Sequence, residues 1–343
     1  GAPLKDLVLR DISLNFDSPR LAGLVTLSLY QAAVPTSLNI LLQVLSAAQR
    51  LEQLTLGDKM RVGEPIVPGP QVTLGHLKIL NIRKITDNYY AALLSSIYAP
   101  VCSSVDIDDP WRSTDVDTQD LLLWQPGNAQ MAALLGLNQQ SDIRTLKIYI
   151  ALNYDTIRIR VREQEHGSAR VFSFRRRRPL RMLKLLGQFF ADFPFCPPIH
   201  LTIEASVYDH DPFDLTPWSA CLVSLDLSHQ TGNLRPMEQL AEYTVAPNAN
   251  ETGASAARAE DWMCPNLRYI TLRVPKAESQ PDLYGAALLS LVRRRWLRMD
   301  GGPTPAIQPD EFVIIGTHSG TKTQQDVETE VKRVVPSAVF RWR

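Results

Sequence analysis

Long apolar runs are missing from this chain: no stretch approaches the roughly 20 consecutive apolar residues that a membrane helix needs. Charge of one sign is missing too. Lys plus Arg number 36 and Asp plus Glu number 36, so the formal net charge is zero. The basic excess that usually marks a nucleic-acid binder is therefore absent overall. Cysteine is scarce, with four in 343 residues, at Cys102, Cys196, Cys221 and Cys264. None are paired as CxxC, which argues against a zinc knuckle, and so few cannot staple a small secreted fold. Four free, mostly buried thiols in a reducing compartment, cytoplasmic or nuclear, are expected. The start, Gly1-Ala2-Pro3, lacks the apolar core of a signal peptide and no initiator Met precedes it, so an excised or processed chain is expected. No GxSxG stands anywhere and no Cys/His pair has a nucleophile's surroundings. Neither an enzyme nor a cofactor is expected.

What is present is leucine at a fixed spacing. The pattern L-x-x-L-x-L occurs at Leu4-Leu7-Leu9, Leu24-Leu27-Leu29, Leu51-Leu54-Leu56 and Leu77-Leu80-Ile82. It continues at Cys102-Val105-Ile107, Ile143-Leu146-Ile148, Pro198-Leu201-Ile203, Leu222-Leu225-Leu227 and Leu267-Ile270-Leu272. The gaps between starts are 20, 27, 26, 25, 41, 55, 24 and 45 residues. Most fit a leucine-rich repeat of roughly 20–29 residues, and the others suit repeats that carry insertions. L-x-L is a short strand with both leucines on one face. The segments between strands show helical spacing, as at Leu38, Leu41, Leu42 and Leu45 after Ser37, a residue suited to an N-cap. No strand–helix unit is large enough to bury its own face, so stacking must do it. The expected fold is α/β: an irregular leucine-rich-repeat solenoid with a parallel sheet on its concave side and helices outside. The asparagine usual three residues past the last leucine is absent; Ile12, Ala32, Lys59, Ile85, Gln230 and Pro275 stand there.

The solenoid is expected over residues 1–300, with insertions at 108–142, 149–197 and 228–266 projecting from its rim. Within the second, alternation at Ile157, Ile159 and Val161 and then at Val171, Phe172 and Phe174 reads as a β-hairpin. Residues 301–343 read as a strand–helix–strand cap.

Residues 4–107 and 220–298 resemble the leucine-rich-repeat half of fungal F-box proteins. The resemblance is carried by Leu4–Asp11, Leu24–Tyr30, Arg50–Gly57 and Met263–Arg273, by Cys264-Pro265-Asn266-Leu267 opening a strand, and by the helix ending in Arg293-Arg294-Arg295. It implies the substrate-recognition part of an SCF-type ubiquitin ligase receptor. A Skp-type adaptor would be a partner only where an F-box precedes this chain, since none lies within it.

Other candidate sites have plainer readings. Gly316–Thr323 resembles a phosphate loop but has three residues between its glycines, not four, and Lys322 comes one place late. His200, Thr202 and Glu204, with Asp209, His210, Asp211 and Asp214 beyond, could hold a metal, but strand alternation accounts for the first three. Arg175, Arg176, Arg177 and Arg178 form a basic patch suited to phosphate, RNA or an acidic partner, whereas Arg293–Arg295 suit a solvated helix end. A phosphate-, nucleotide- or RNA-binding protein is therefore the alternative. Asn250-Glu251-Thr252 is a glycosylation sequon expected to be unused. With the leucines turned inward, the residues between them face outward. Tyr30, Arg83, Asp106, Lys147, Tyr149, Glu204, Asp226, Tyr269 and Arg273 are the expected contacts with a protein partner on the concave face. Tyr and Arg anchor such contacts more often than other residue types.

Overall fold

Alternating burial along short strands organises the molecule. The computed structural model describes residues 4–12, 19–31, 34, 37–57, 70–85, 87–108, 128–135, 137, 143–151, 156–163, 169–175, 179–191, 198–205, 214–229, 235–242, 262–273, 281–297, 305–316 and 322–342. They fall into two compact units, Gly1–Leu146 with Tyr154–Phe195, and Lys147–Asn153 with Cys196–Arg343. Among the described residues no helix is long and apolar enough to cross a membrane.

The first unit contains β1 (Asp6–Arg10), β2 (Thr26–Tyr30), α1 (Leu38–Ala47), β3 (Gln53–Gly57), β4 (Val72–Thr73), β5 (Ile79–Arg83), α2 (Asp87–Ser96), β6 (Ile97–Tyr98), β7 (Ser104–Asp108) and α3 (Ala129–Leu134). After β8 (Ile143–Ala151), which passes into the second unit, come β9 (Thr156–Glu163), β10 (Ala169–Arg175) and α4 (Pro179–Ala191). The sheet runs β1-β2-β3-β5-β7-β10-β9. Every pairing in it is parallel except β10 with β9. The register aligns Leu7, Leu27, Leu54, Leu80, Val105 and Phe172 in one column. Leu27, Leu54, Leu80 and Phe172 are wholly buried. At about 2 kcal/mol for each buried leucine, such columns are a principal stabilising term. As the leucine pattern predicts, β1 and β2 are adjacent and parallel.

Backbone hydrogen bonds repeat with the strands. The carbonyl before each strand accepts from two N–H groups of the next: Lys5 from Val25 and Thr26, Val25 from Glu52 and Gln53, Glu52 from Lys78 and Ile79, Lys78 from Ser103 and Ser104, all at 2.7–3.1 Å. The first residue of the motif closes a tight turn, Leu24 donating to Leu21, Leu51 to Ala48, Leu77 to Leu74 and Cys102 to Ala99. At the other strand end stands a left-handed residue: Asp11 (φ 59°), Gln31 (φ 55°) and Lys84 (φ 49°). These sit two places past the last leucine. They stand one place before the position of the absent asparagines, and the Gln31 amide nitrogen can reach Asp11 Oδ1 at 2.8 Å. Ser37 holds the N-cap position of α1 with an extended backbone, but its side chain makes no cap hydrogen bond.

The hairpin expected to project from the rim lies inside the sheet. β10 pairs in parallel with β7, Phe172 beside Val105, and β9 follows antiparallel. Ala169-x-x-Phe172-x-Phe174 is a further copy of the strand motif with aromatic residues in the leucine places, and its Phe172 is wholly buried on the same inner face. Of the other expected insertions, 108–142 holds α3 and 228–266 holds α5 (Arg235–Leu240), and most of their remaining residues lie outside the described set.

The second unit holds residues 147–151 of β8, then β11 (Ile199–Ala205), β12 (Leu222–His229), α5, β13 (Tyr269–Arg273), α6 (Pro281–Trp296), β14 (Glu311–Gly316), α7 (Lys322–Val334) and β15 (Ala338–Trp342). Its strand order is β8-β11-β12-β13-β14-β15, and β11 through β15 are parallel. The tail forms its strand, helix and strand, and both strands continue the sheet. Pro309-x-x-Phe312-x-Ile314 and Val335-x-x-Ala338-x-Phe340 stand in register with Ile270 and Leu272.

Arg295 does not belong to a solvated helix end. It is 2% exposed. Its Nη1 donates to the carbonyls of Leu240 and Met263 at 2.8 and 2.6 Å, and Nη2 to that of Cys264 at 2.8 Å. It fixes the turn in which Cys264 adopts φ 54°. The expectation of four free thiols is corrected: Cys102 and Cys264 are free and buried, but Cys221 is disulfide-bonded. A low cysteine count bears on the class of fold, not on which two side chains the fold brings within bonding distance.

Candidate functional site

Opposite the buried columns each sheet presents an open face of partly exposed side chains. In the first unit one row reads Arg10, Tyr30, Gly57, Arg83, Asp108. The Tyr30 ring lies over Gly57, where an added Cβ would come 2.8 Å from the ring. The Arg10 guanidinium stands 5.5 Å from the Tyr30 ring centroid, within cation–π range. Arg83 is exposed beyond Gly57, and Asp106 is half-buried one row lower, level with Asn81. Asn81 donates to Thr55 Oγ1 at 3.4 Å.

In the second unit the rows are His200–Ser224–Tyr269, Thr202–Asp226–Thr271 and Glu204–Ser228–Arg273. Ser224 is small enough to let its neighbours meet, and the His200 and Tyr269 rings stack with centroids 6.5 Å apart. Burial, aided by the positive charge of Lys147, lowers the proton affinity of His200, which favours the neutral ring. Tyr149 donates its hydroxyl proton to the Glu204 carboxylate. Arg273 grips Asp226 with two nitrogens, at 3.4 and 3.2 Å. That hydrogen bonding, with the nearby Glu204 charge, holds the guanidinium above its ordinary range.

The nine contacts expected from the sequence thus all lie on open faces. Tyr30, Arg83 and Asp106 belong to the first unit; Lys147, Tyr149, Glu204, Asp226, Tyr269 and Arg273 belong to the second. The second set is tied together by pairs, whereas Arg83 and Tyr30 are separated by Gly57. Not anticipated were the restraint of Tyr30 by Arg10, the space kept by Gly57, and the arginines of β9. The last had a signal, the alternation Ile157-Arg158-Ile159-Arg160.

The other candidates fall mostly outside the described residues. They include Arg176–Arg178 and the Arg175 side chain, 317–321 of the glycine loop, Asp209–Asp211 and the sequon. Gly316 ends β14 and Lys322 opens α7. His200, Thr202 and Glu204 share the open face, and among the described residues no three His, Cys, Asp or Glu side chains are grouped to hold a metal. No protein-family model, curated protein or solved structure matches the chain.

Proposed function

We propose that the protein is a non-catalytic scaffold of the leucine-rich-repeat kind that binds another protein through the open sheet faces of its units. The observation that supports this best is the restraint of the aromatic residues there. Tyr30 is held by Arg10, Tyr149 by Glu204 and Tyr269 by His200. Side chains already fixed lose little rotamer freedom on association, which favours affinity. Charges of both signs surround them, a pattern that suits a protein better than a uniform polyanion.

A photo-crosslinking amino acid placed at Thr271 or Asn81 on the open face, and at Gln43 or Ala286 on exposed helix positions, tests the reading in cells. Protein adducts from the open-face positions, lost when Tyr30, Arg83, Tyr149, Tyr269 and Arg273 are all changed to Ala, are expected. Adducts from the helix positions alone would overturn it. The resemblance to F-box proteins makes substrate receptor of an SCF-type ubiquitin ligase the narrower version, working in the cytoplasm or nucleus with a Skp-type adaptor. Failure of the protein, expressed from its own gene with whatever precedes this chain, to co-purify with that adaptor removes the narrower version and leaves the broader one.

A further inference from the structure

β9 carries arginine at alternate positions, Arg158, Arg160 and Arg162. Ile157 and Ile159 between them are wholly buried, so Arg158 and Arg160 stand exposed on the open face. Among the described residues neither has a hydrogen bond or ion pair. Beside them on β10 lie Ser173, level with Arg158, and Val171, level with Arg160. Both are uncharged. On this side of β9, within the first unit, the nearest carboxylate row is on β7, where Asp106 is level with Ser173. That is two strands away, about 9–10 Å between backbones, and no ion pair joins it to Arg158. Two like charges about 7 Å apart are thus left to repel one another.

We propose that this ladder receives an extended acidic segment of a protein partner, with Asp or Glu at alternate positions. An extended chain repeats its side chains on one face every 7 Å or so, the spacing of the arginines themselves. Each guanidinium offers a planar fork that matches one carboxylate. Single-stranded nucleic acid fits less well. Such sites pair their basic groups with stacking aromatics. Within the first unit the neighbouring open-face positions Val171, Ser173, Ser104 and Asp106 include none. The inference rests on the reading of the open face as a protein-binding surface, but uses none of the five residues on which that reading is tested.

The test is fluorescence anisotropy with the full chain and three labelled probes of about twelve units: an alternating Glu-Ser peptide, an alternating Lys-Ser peptide and oligouridylate. The Glu-Ser peptide is expected to bind at low salt, to weaken as salt screens the pairs, and to weaken about tenfold with Arg158→Gln/Arg160→Gln. Arg294→Gln, on an exposed position of α6, should leave binding unchanged. Arg158→Lys/Arg160→Lys, which keeps the charge and loses the fork, should fall between; it also serves if the Gln variant fails to fold by circular dichroism. Absence of Glu-Ser binding, equal binding to the Gln variant, or tighter binding of oligouridylate through the same arginines would each overturn the proposal. If it fails while open-face crosslinks persist, only the ladder is lost; if both fail, so does the open-face reading.

Discussion

Arginine near a helix C-terminus ordinarily stays in water and complements the dipole. Arg295 instead serves three backbone carbonyls from a buried position. Arg295→Met would leave those carbonyls without their donor and should cost about 3–5 kcal/mol in urea unfolding, whereas exposed Arg294→Met should stay within about 0.5 kcal/mol. Equal losses would show that Arg295 is no clamp. Gly57 makes a second residue-scale case. Gly57→Ala must displace the Tyr30 ring and should cost about 1–2 kcal/mol. In a Tyr30→Ala background the same change should be neutral or better, because alanine suits a strand interior more than glycine. The buried thiols give a pH dependence. Burial pushes Cys102 up to about 11 and Cys264 up to about 12, from an ordinary 9.0. An unfolded thiol ionises near 9 while the folded ones keep their protons, so their stability is complete below pH 9 and is lost as pH climbs toward 11 and 12. The slope should reach about 1.4 kcal/mol per pH unit for each thiol. Urea midpoints that do not fall more steeply in the native protein than in Cys102→Ala/Cys264→Ala would contradict it.

Among the elements, the strand exits carry the clearest test. Lys84 sits at φ 49°, where a β-branched side chain is strained and glycine is not. Lys84→Val should lower stability by about 1–2 kcal/mol relative to Lys84→Gly, both variants lacking the lysine side chain. These exits were not legible in the sequence, because aspartate, glutamine and lysine give no shared signal. The strands themselves were legible wherever leucine filled the inner places. The motif was missed at Ala169, Pro309 and Val335, since an inner place asks only for apolar bulk and Phe172, Phe312 or Ala338 supplies it. Period-two alternation placed the nine expected contact residues on the open faces. It could not foresee their partners: Arg273 reaches Asp226 across 47 residues of sequence, and only the register brings them together.

Across the whole molecule, each strand is supported by its neighbours; in the first unit's main sheet support is thinnest at β1, which pairs with β2 alone, as β15 pairs with β14 alone in the second unit. Leu7 and Leu9 are half-buried where Leu27 and Leu29 are wholly buried, and Val8 is 65% exposed. Amides of β1 should therefore exchange hydrogen fastest in the first unit. Leu7→Ala should cost about 1–2 kcal/mol against about 3–4 for Leu54→Ala, and equal costs would show that β1 is as firmly held as β3. The carbonyls of Lys5, Val25, Glu52 and Lys78, each taking two N–H groups from the following strand, join successive strands by atoms that every amino acid possesses. Three kinds of side chain (lysine twice, valine and glutamate) occupy that one structural place, and the exposed Lys78–Glu52 ion pair between two of them is of a kind that contributes little. Such a joint accepts a new neighbour whatever its side chains, so a duplicated or deleted stretch of about 25 residues could be spliced in or out with the flanking strands still able to close on each other.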